Sequence, residues 1–202
     1  MSAVRACALR AVLLPVTPGP PPGWTVRSPD AGDHPRVLAV LDRWWGGFGG
    51  GAGSRERALL VPRLFLEHFA DTSTLVEDAD GRLVAFLVGF LSPARPGTAH
   101  VHFLGVDPAV RRGGLGRWLH ARFGAVASER GAREVRCVTS PGNAASIAFH
   151  TRLGFRAEPG DLLVDGVPVH ADHDGPGLHR VVLARPVADH DPGRIPCPPT
   201  SP

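Results

Sequence analysis

Val106-Asp107-Pro108-Ala109-Val110-Arg111-Arg112-Gly113-Gly114-Leu115-Gly116 is the stretch on which both the fold and the first functional inference turn. Before it stands an extended run, His100-Val101-His102-Phe103-Leu104-Gly105. After it, Leu115, Trp118, Leu119, Arg122, Phe123 and Val126 recur at helical spacing. The pattern predicts a strand, a glycine-rich turn and a helix. Glycines at 113, 114 and 116 leave little side chain between a ligand and the backbone amides at the helix start. Those amides have no partner inside the helix and lie at the positive end of its dipole, so the turn suits a phosphate. Arg111, Arg112 and Arg117 add fixed positive charge, and a pyrophosphate is the expected ligand. Two familiar phosphate motifs fail here. The P-loop requires a lysine, and the chain has none. The dinucleotide pattern GxGxxG belongs at the first strand–helix turn, whereas three strands precede this one.

Upstream, Thr74-Leu75-Val76-Glu77 predicts a strand and Asp80-Gly81 a hairpin turn. Leu83 to Leu91 is almost wholly apolar, as in a strand covered on both faces, and Pro96-Gly97 turns it into Thr98–Val106. Further back, Trp24 to Arg27 predicts a first strand. Asp33 is expected to cap a helix carrying Val37, Leu38, Val40, Leu41, Trp44 and Trp45. Gly46 to Gly53 breaks that helix, and another starts near Pro62 with Leu64, Phe65, Leu66 and Phe69. The Trp44-Trp45 pair either packs in the core or lines a pocket, and both residues stand as candidate substrate contacts.

Downstream, Gly131 is expected to end the loop's helix, and Glu134 to Thr139 reads as a parallel strand reached by that crossover. Asn143 caps a helix over Ala144 to Leu153, with Ala145, Ala148, Phe149 and Leu153 as its core stripe. Phe155 to Ala157 begins another strand, Pro159 to Gly177 reads as a polar connection, and Leu178 to Ala184 is the last strand. The fold class is a mixed α/β sheet, an antiparallel meander followed by a parallel crossover, with helices on both faces. Residues 24–185 form one domain, flanked by proline-rich tails at 1–23 and 186–202 that are expected to be disordered.

The composition excludes several classes of function. The net charge is only +3, and the arginines are scattered except at the glycine turn, so nucleic acid is not an expected partner. No apolar run approaches the roughly 18 residues of a membrane span. The N-terminal Ala11–Leu14 run, broken off by Arg10 and Pro15, is too short for a signal peptide. The 3 cysteines, Cys7, Cys137 and Cys197, show no metal-like or disulfide spacing, so no metal is expected and a reducing cytoplasm fits. Exposed strand edges are compatible with a homodimer.

The glycine stretch resembles the acetyl-CoA loop of the GCN5-related N-acetyltransferases, [QR]-x-x-G-x-[GA], as Arg111-Arg112-Gly113-Gly114-Leu115-Gly116, preceded by the family's V-x-P as Val106-Asp107-Pro108. A second signature of that family, N-x-x-[AS]-x-x-[FL]-Y-x-x-[LM]-G-F, stands as Asn143-Ala144-Ala145-Ser146-Ile147-Ala148-Phe149-His150-Thr151-Arg152-Leu153-Gly154-Phe155. The two occur in order, on the element types already assigned. The resemblance implies acetyl-CoA as donor and an amine as acceptor. It implies that the amides from Arg112 to Arg117 hold the pyrophosphate, and that the strand edge at Leu104-Gly105-Val106 pairs with the pantetheine arm where neighbouring strands part.

Asn143, Ser146, Ile147 and His150 fall on one helix face, so Asn143, Ser146 and His150 can point together into a cleft. His150 replaces the family's tyrosine, and this chain has no tyrosine. It is a candidate to protonate or contact the departing thiolate. The amine must lose a proton, and the strand glutamate that some relatives place five residues before the asparagine is here Val138. His102 is the candidate base, followed by His100 and, more weakly, Glu67, His68 and Glu77. The leading expectation is direct acetyl transfer to a primary amine of a small molecule. A protein N-terminus or lysine is the alternative acceptor. A non-catalytic acyl-CoA sensor is the alternative function, suggested by the missing tyrosine and glutamate.

Overall fold

In the computed structural model, residues 19–45 and 58–187 are described. Four strands lead into the glycine loop: β1 (Thr25–Arg27), β2 (Thr74–Glu77), β3 (Leu83–Leu91) and β4 (Thr98–Val106), each antiparallel to the one before. Between β1 and β2 lie α1 (His34–Trp44) and α2 (Arg63–His68). After the loop come α3 (Leu115–Glu129), β5 (Glu134–Thr139), α4 (Ala144–Arg152) and β6 (Arg156–Ala157), then β7 (Leu162–Val164), β8 (Val167–Val169) and β9 (Val181–Pro186). β4 and β5 pair in parallel, and β9 inserts antiparallel between β5 and β6, giving the sheet order β1-β2-β3-β4-β5-β9-β6.

The apolar run of β3 has cover on both faces. Phe86 and Val88 point into a cluster with Val37, Leu41 and Trp44 of α1, whereas Leu87 joins Leu119 and Phe123 of α3 in a second cluster. Each face buries a continuous apolar layer, the dominant favourable contribution to such a fold.

Two irregularities of β4 open the sheet beside it. Its register against β3 shifts between Val88 and Gly89, so that Val88 faces Phe103 while Gly89 faces Val101, and His102 is the extra, bulged residue. Its pairing with β5 covers only Thr98–Val101 against Glu134–Cys137. Beyond that point β4 runs on to Val106 beside β3, β5 runs on to Thr139 beside β9, and the two part. Gly105 belongs to this segment because a Cβ there would stand 2.5 Å from the Phe86 ring and 2.9 Å from Trp44.

Several expectations need correction. Asp33 does not cap α1 with its side chain. Instead it is 3% exposed and pairs with Arg27 and Arg36, while Asp30 caps the preceding short turn. The Pro159–Gly177 connection contains the β7–β8 hairpin, turned at Asp165 and Gly166, whose φ angles are 50° and 77°. The last strand begins at Val181 rather than Leu178, because His170 and Arg180 first bridge antiparallel to one another. The fold also runs past 185: Pro186 pairs with Glu134, and Val187 is buried. Ala145 and Ala148 are exposed, and Ile147 packs on the core in their place. The Gly46–Gly53 break, residues 1–18 and residues 188–202 lie outside the described residues.

Candidate active site

The loop is built by local bonds. Asp107 accepts from the Ala109 amide at 2.9 Å and starts one 3-10 turn over Pro108–Val110. Arg111 Nε donates to the Val106 carbonyl at 3.0 Å, tying the loop to the end of β4. Arg112 and Gly114 then take left-handed φ angles of 72° and 85°, the second a conformation for which glycine is the natural residue. No acceptor among the described residues takes a bond from the Arg112 to Arg117 amides. This row of free donors at the start of α3, flanked by three arginines, fits a pyrophosphate. Gly116 has a packing constraint as well: its missing Cβ makes room for the Phe149 ring, which an added Cβ would meet at 3.2 Å, so it lets α4 close on the first turn of α3.

From the loop a cavity of about 640 Å³ runs into the gap between β4 and β5. The loop contributes Arg111, Arg112, Gly114, Leu115, Gly116 and Arg117, and β4 contributes Val101 to Leu104 and Val106. Cys137, Val138 and Thr139 line it from β5, and Asn143, Ser146, Phe149 and His150 from α4. Thus two distant sequence segments converge on one space. Gly105 and Gly113 do not line it. The tryptophan pair divides: Trp44, 6% exposed, stacks on Phe86 in the core, while Trp45 lines the cavity with its ring edge against Phe103. Trp44 is therefore corrected from a substrate contact to a core residue. The sequence patterns gave no signal for Phe103, Thr139 or Arg152 as lining residues.

Asn143 accepts from the Ser146 amide at 3.1 Å, capping α4 while facing the cavity. His150 is 8% exposed, and its Nδ1 lies 2.9 Å from the Ser146 carbonyl. A carbonyl can only accept, so the bond assigns the proton to Nδ1 and leaves the lone pair on Nε2. Burial lowers the pKa of His150 below its ordinary value, the Ser146 bond opposes that, and the charge of Arg185 adds to it.

His102, the bulged residue, places Nε2 2.5 Å from the Leu60 carbonyl, and its ring stacks on Phe65 at 4.0 Å. The same argument gives Nε2 the proton and Nδ1 the lone pair. Burial also holds His102 below the usual histidine range. His100 stacks on Phe90 away from the cavity and is pushed down to about 4 by burial and then by His102. Glu77 is held by Arg27 and Arg36, and Glu67 by Arg63, so neither carboxylate reaches the site. His68 does not line it. The Cys137 thiol, pushed up to about 12 by burial, is no nucleophile at neutral pH.

A sequence model of the Acetyltransferase (GNAT) family matches residues 38–155, more than half of the chain. The chain belongs to the GNAT acetyltransferases. It is 34% identical over 123 residues to an L-2,4-diaminobutyric acid acetyltransferase of Streptomyces avermitilis, a match covering 58% of this chain and 69% of that one. It is 33% identical over 99 residues to a mycothiol acetyltransferase of Saccharomonospora viridis, across 46% of this chain and 32% of the other. In fold it resembles the diaminobutyrate acetyltransferase of Paenibacillus lautus, solved in complex with L-2,4-diaminobutyric acid and coenzyme A. The TM-score is 0.55 at 21% identity, over 83% and 97% of the two chains. Acetyl-CoA is the donor that GNAT acetyltransferases use. Among the described residues no cluster of His, Cys, Asp and Glu could hold a metal, and no helix is long and apolar enough to cross a membrane.

Proposed function

We propose that this acetyltransferase moves an acetyl group from acetyl-CoA to the primary amine of a small molecule, by direct attack within a ternary complex. The carrying observation is the parting of β4 and β5 beyond Val101 and Cys137, continuous with the glycine loop and ending at His102. Acetyl-CoA supplies an activated thioester. The Arg112 to Arg117 amides hold its pyrophosphate, and the unpaired edge of β4 from Leu104 to Val106 binds the pantetheine arm in the manner of an added strand.

What remains for the protein is to admit the amine and take its proton. A free alkylammonium titrates near 10, so the acceptor has to be deprotonated on the enzyme. His102, neutral and with Nδ1 unencumbered by the Leu60 bond, is the group that accepts this proton. As the neutral nitrogen attacks the acetyl carbonyl carbon, the C–S bond breaks, the thiolate departs with the bonding pair, and it takes up the second proton shed by the acylated nitrogen, leaving the amide and free thiol. Cys137 takes no part.

The small acceptor is supported by the aromatic enclosure of Trp45 and Phe103 at that end of the cavity, and by the relatives' names. The test is release of free thiol from acetyl-CoA with two panels. One holds small amines, L-2,4-diaminobutyric acid first among them; the other holds peptides with free N-termini or lysines. Turnover with a small amine and none with peptides is expected. Turnover on peptides alone would move the acceptor to the protein class.

A further inference from the structure

Behind His150 the structure carries polar side chains that neither motif accounts for. His120, on the inner face of α3, is 1% exposed, and neither of its ring nitrogens has a hydrogen-bond partner. Its ring meets His150 edge-on, with 5.1 Å between centroids. Arg185, near the end of β9, lays its guanidinium over Phe155 at 5.1 Å. Phe155 in turn stands 5.3 Å from the His150 ring and 5.5 Å from that of His120. The Nε of Arg185 is buried without a partner, and no carboxylate among the described residues pairs with this side chain.

A partly buried guanidinium with no counter-ion is a cost to folding that its contact with Phe155 offsets only in part. An uncompensated charge in a medium of low polarity also acts over a longer range than one in water. Here it acts on His150, on His120 and on Cys137, so it reaches both the α4 and the β5 walls of the cavity.

We propose that Arg185 is a positioning residue of the acetyl-transfer site: standing behind Phe155, it adds to burial in keeping His150 neutral, so that Nε2 can accept a hydrogen bond from the released thiol, and its unpaired charge favours the thiolate that precedes it. The assignment rests on the acetyl-transfer reading of this cavity. The titratable and charged groups around His150 are His120 from α3 and Arg185 from β9 behind Phe155, with Ser146 bonded to it on its own helix, while Cys137 from β5 and His102 from β4 line the same cavity. His120 is held down to about 3 and Cys137 pushed up to about 12, both by burial, and His102 is below its usual range. Of these groups, therefore, only Arg185 is charged at neutral pH. Arg152 and the loop arginines are exposed, where salt screens them.

The test is the titration of the His150 imidazole by NMR, its resonance identified by its loss in His150→Phe. Arg185→Met keeps the side-chain length and removes the charge. It should raise the His150 midpoint by about one pH unit, tenfold in proton affinity. Arg185→Lys, which restores the charge, should return it to within about 0.3 unit. An unchanged midpoint in folded Arg185→Met overturns the assignment. If that variant does not fold, Arg185→Gln takes its place, and an unchanged midpoint there overturns the assignment. A wild-type midpoint that climbs between about 0.05 and 0.5 M salt would assign the effect to the exposed arginines and refute the role of Arg185. No acceptor is needed, so this outcome is independent of whether the small-amine reading stands.

Discussion

A proton acceptor has to be empty at the working pH, and His102 meets that condition by burial rather than by a charged neighbour. In the proposed role its active form is the neutral one, and its pKa lies below the ordinary 6.5. The kcat of the enzyme should therefore be flat through neutrality and fall only on the acid side of about 6.5. His102→Gln should lower kcat by about 10²-fold or more and leave acetyl-CoA affinity nearly unchanged. An acid limb above 6.5, or one that persists in His102→Gln, would take the proton away from this residue. His150→Phe is the companion measurement: an unchanged kcat at saturating substrates would remove His150 from the chemistry. At this scale the sequence was informative where a residue type departs from a known pattern, as at His150, or stands on the strand feeding the loop, as at His102. It was silent on His120 and Arg185. Arg185 is a single polar residue in an otherwise apolar strand and His120 one of several polar residues on an arginine-bearing helix, and only the packing of α3 against β9 brings them behind His150. Nor could periodicity tell Trp44 from Trp45, since adjacent helical positions differ by a turn of about 100° and either can face the core.

Among the elements, the entry to the fold is fastened by charge. Arg27 of β1 bonds Asp33 at 2.6 Å and Glu77 of β2 at 2.9 Å, and Arg36 of α1 reaches the same two carboxylates. Arg27 is the main cause that holds the Asp33 carboxyl down at about 2. The depressed value means that the folded state favours the carboxylate. The resulting stability is present in full above the ordinary value of 3.8 and is lost as pH falls toward about 2. Asp33→Ala should cost about 3 kcal/mol at pH 7 by denaturant unfolding, because it leaves two arginines short of a partner. The deficit should shrink across that acid window; a pH-independent loss would assign it to packing alone. The sequence pattern read Asp33 as a cap because capping and ion pairing draw on the same residue type just before a helix. The β7–β8 hairpin was legible in principle, since Asp165-Gly166 carries the turn signal recognised at Asp80-Gly81, but its strands are only three residues long and are flanked by polar residues that mask any alternation. The loop allows a sharper test. Gly114→Ala meets a φ of 85° and should weaken acetyl-CoA binding about tenfold or more, whereas at Gly113 the nearest atom to an added Cβ is 3.6 Å away and Gly113→Ala should bind within a few-fold of wild type. Equal affinities by calorimetry would refute the loop geometry as the source of binding.

Taken whole, the sheet is two half-sheets meeting along a short seam. β1 to β4 make one, β5, β9 and β6 the other, and among the described residues the register from Thr98–Val101 to Glu134–Cys137, extended by the Arg133 and Glu134 amides on the Gly97 carbonyl, joins their backbones. The apolar cluster beneath α3 spans the seam, with Val101, Leu119 and Phe123 on one side and Val135, Cys137 and Leu183 on the other. Packing thus supplies the continuity that hydrogen bonding lacks, which is why a strand order read from local patterns could anticipate the parallel crossover without locating where β4 and β5 separate. A donor lying in the gap touches both halves: the loop and β4 on one side, β5 and α4 on the other. Binding there should act on the molecule as a clasp. At a hundredfold excess over Kd, acetyl-CoA should raise the unfolding free energy by about 2.7 kcal/mol. Hydrogen exchange should slow first at the Arg112 to Arg117 amides, which have no internal acceptor, and along β4 from His102 to Val106. The far hairpin of β7 and β8 lies outside the cavity and should exchange at its unliganded rate. Protection spread evenly over the chain, or absent from the loop, would mean that the donor does not bridge the seam, and the parted strands would then need another explanation.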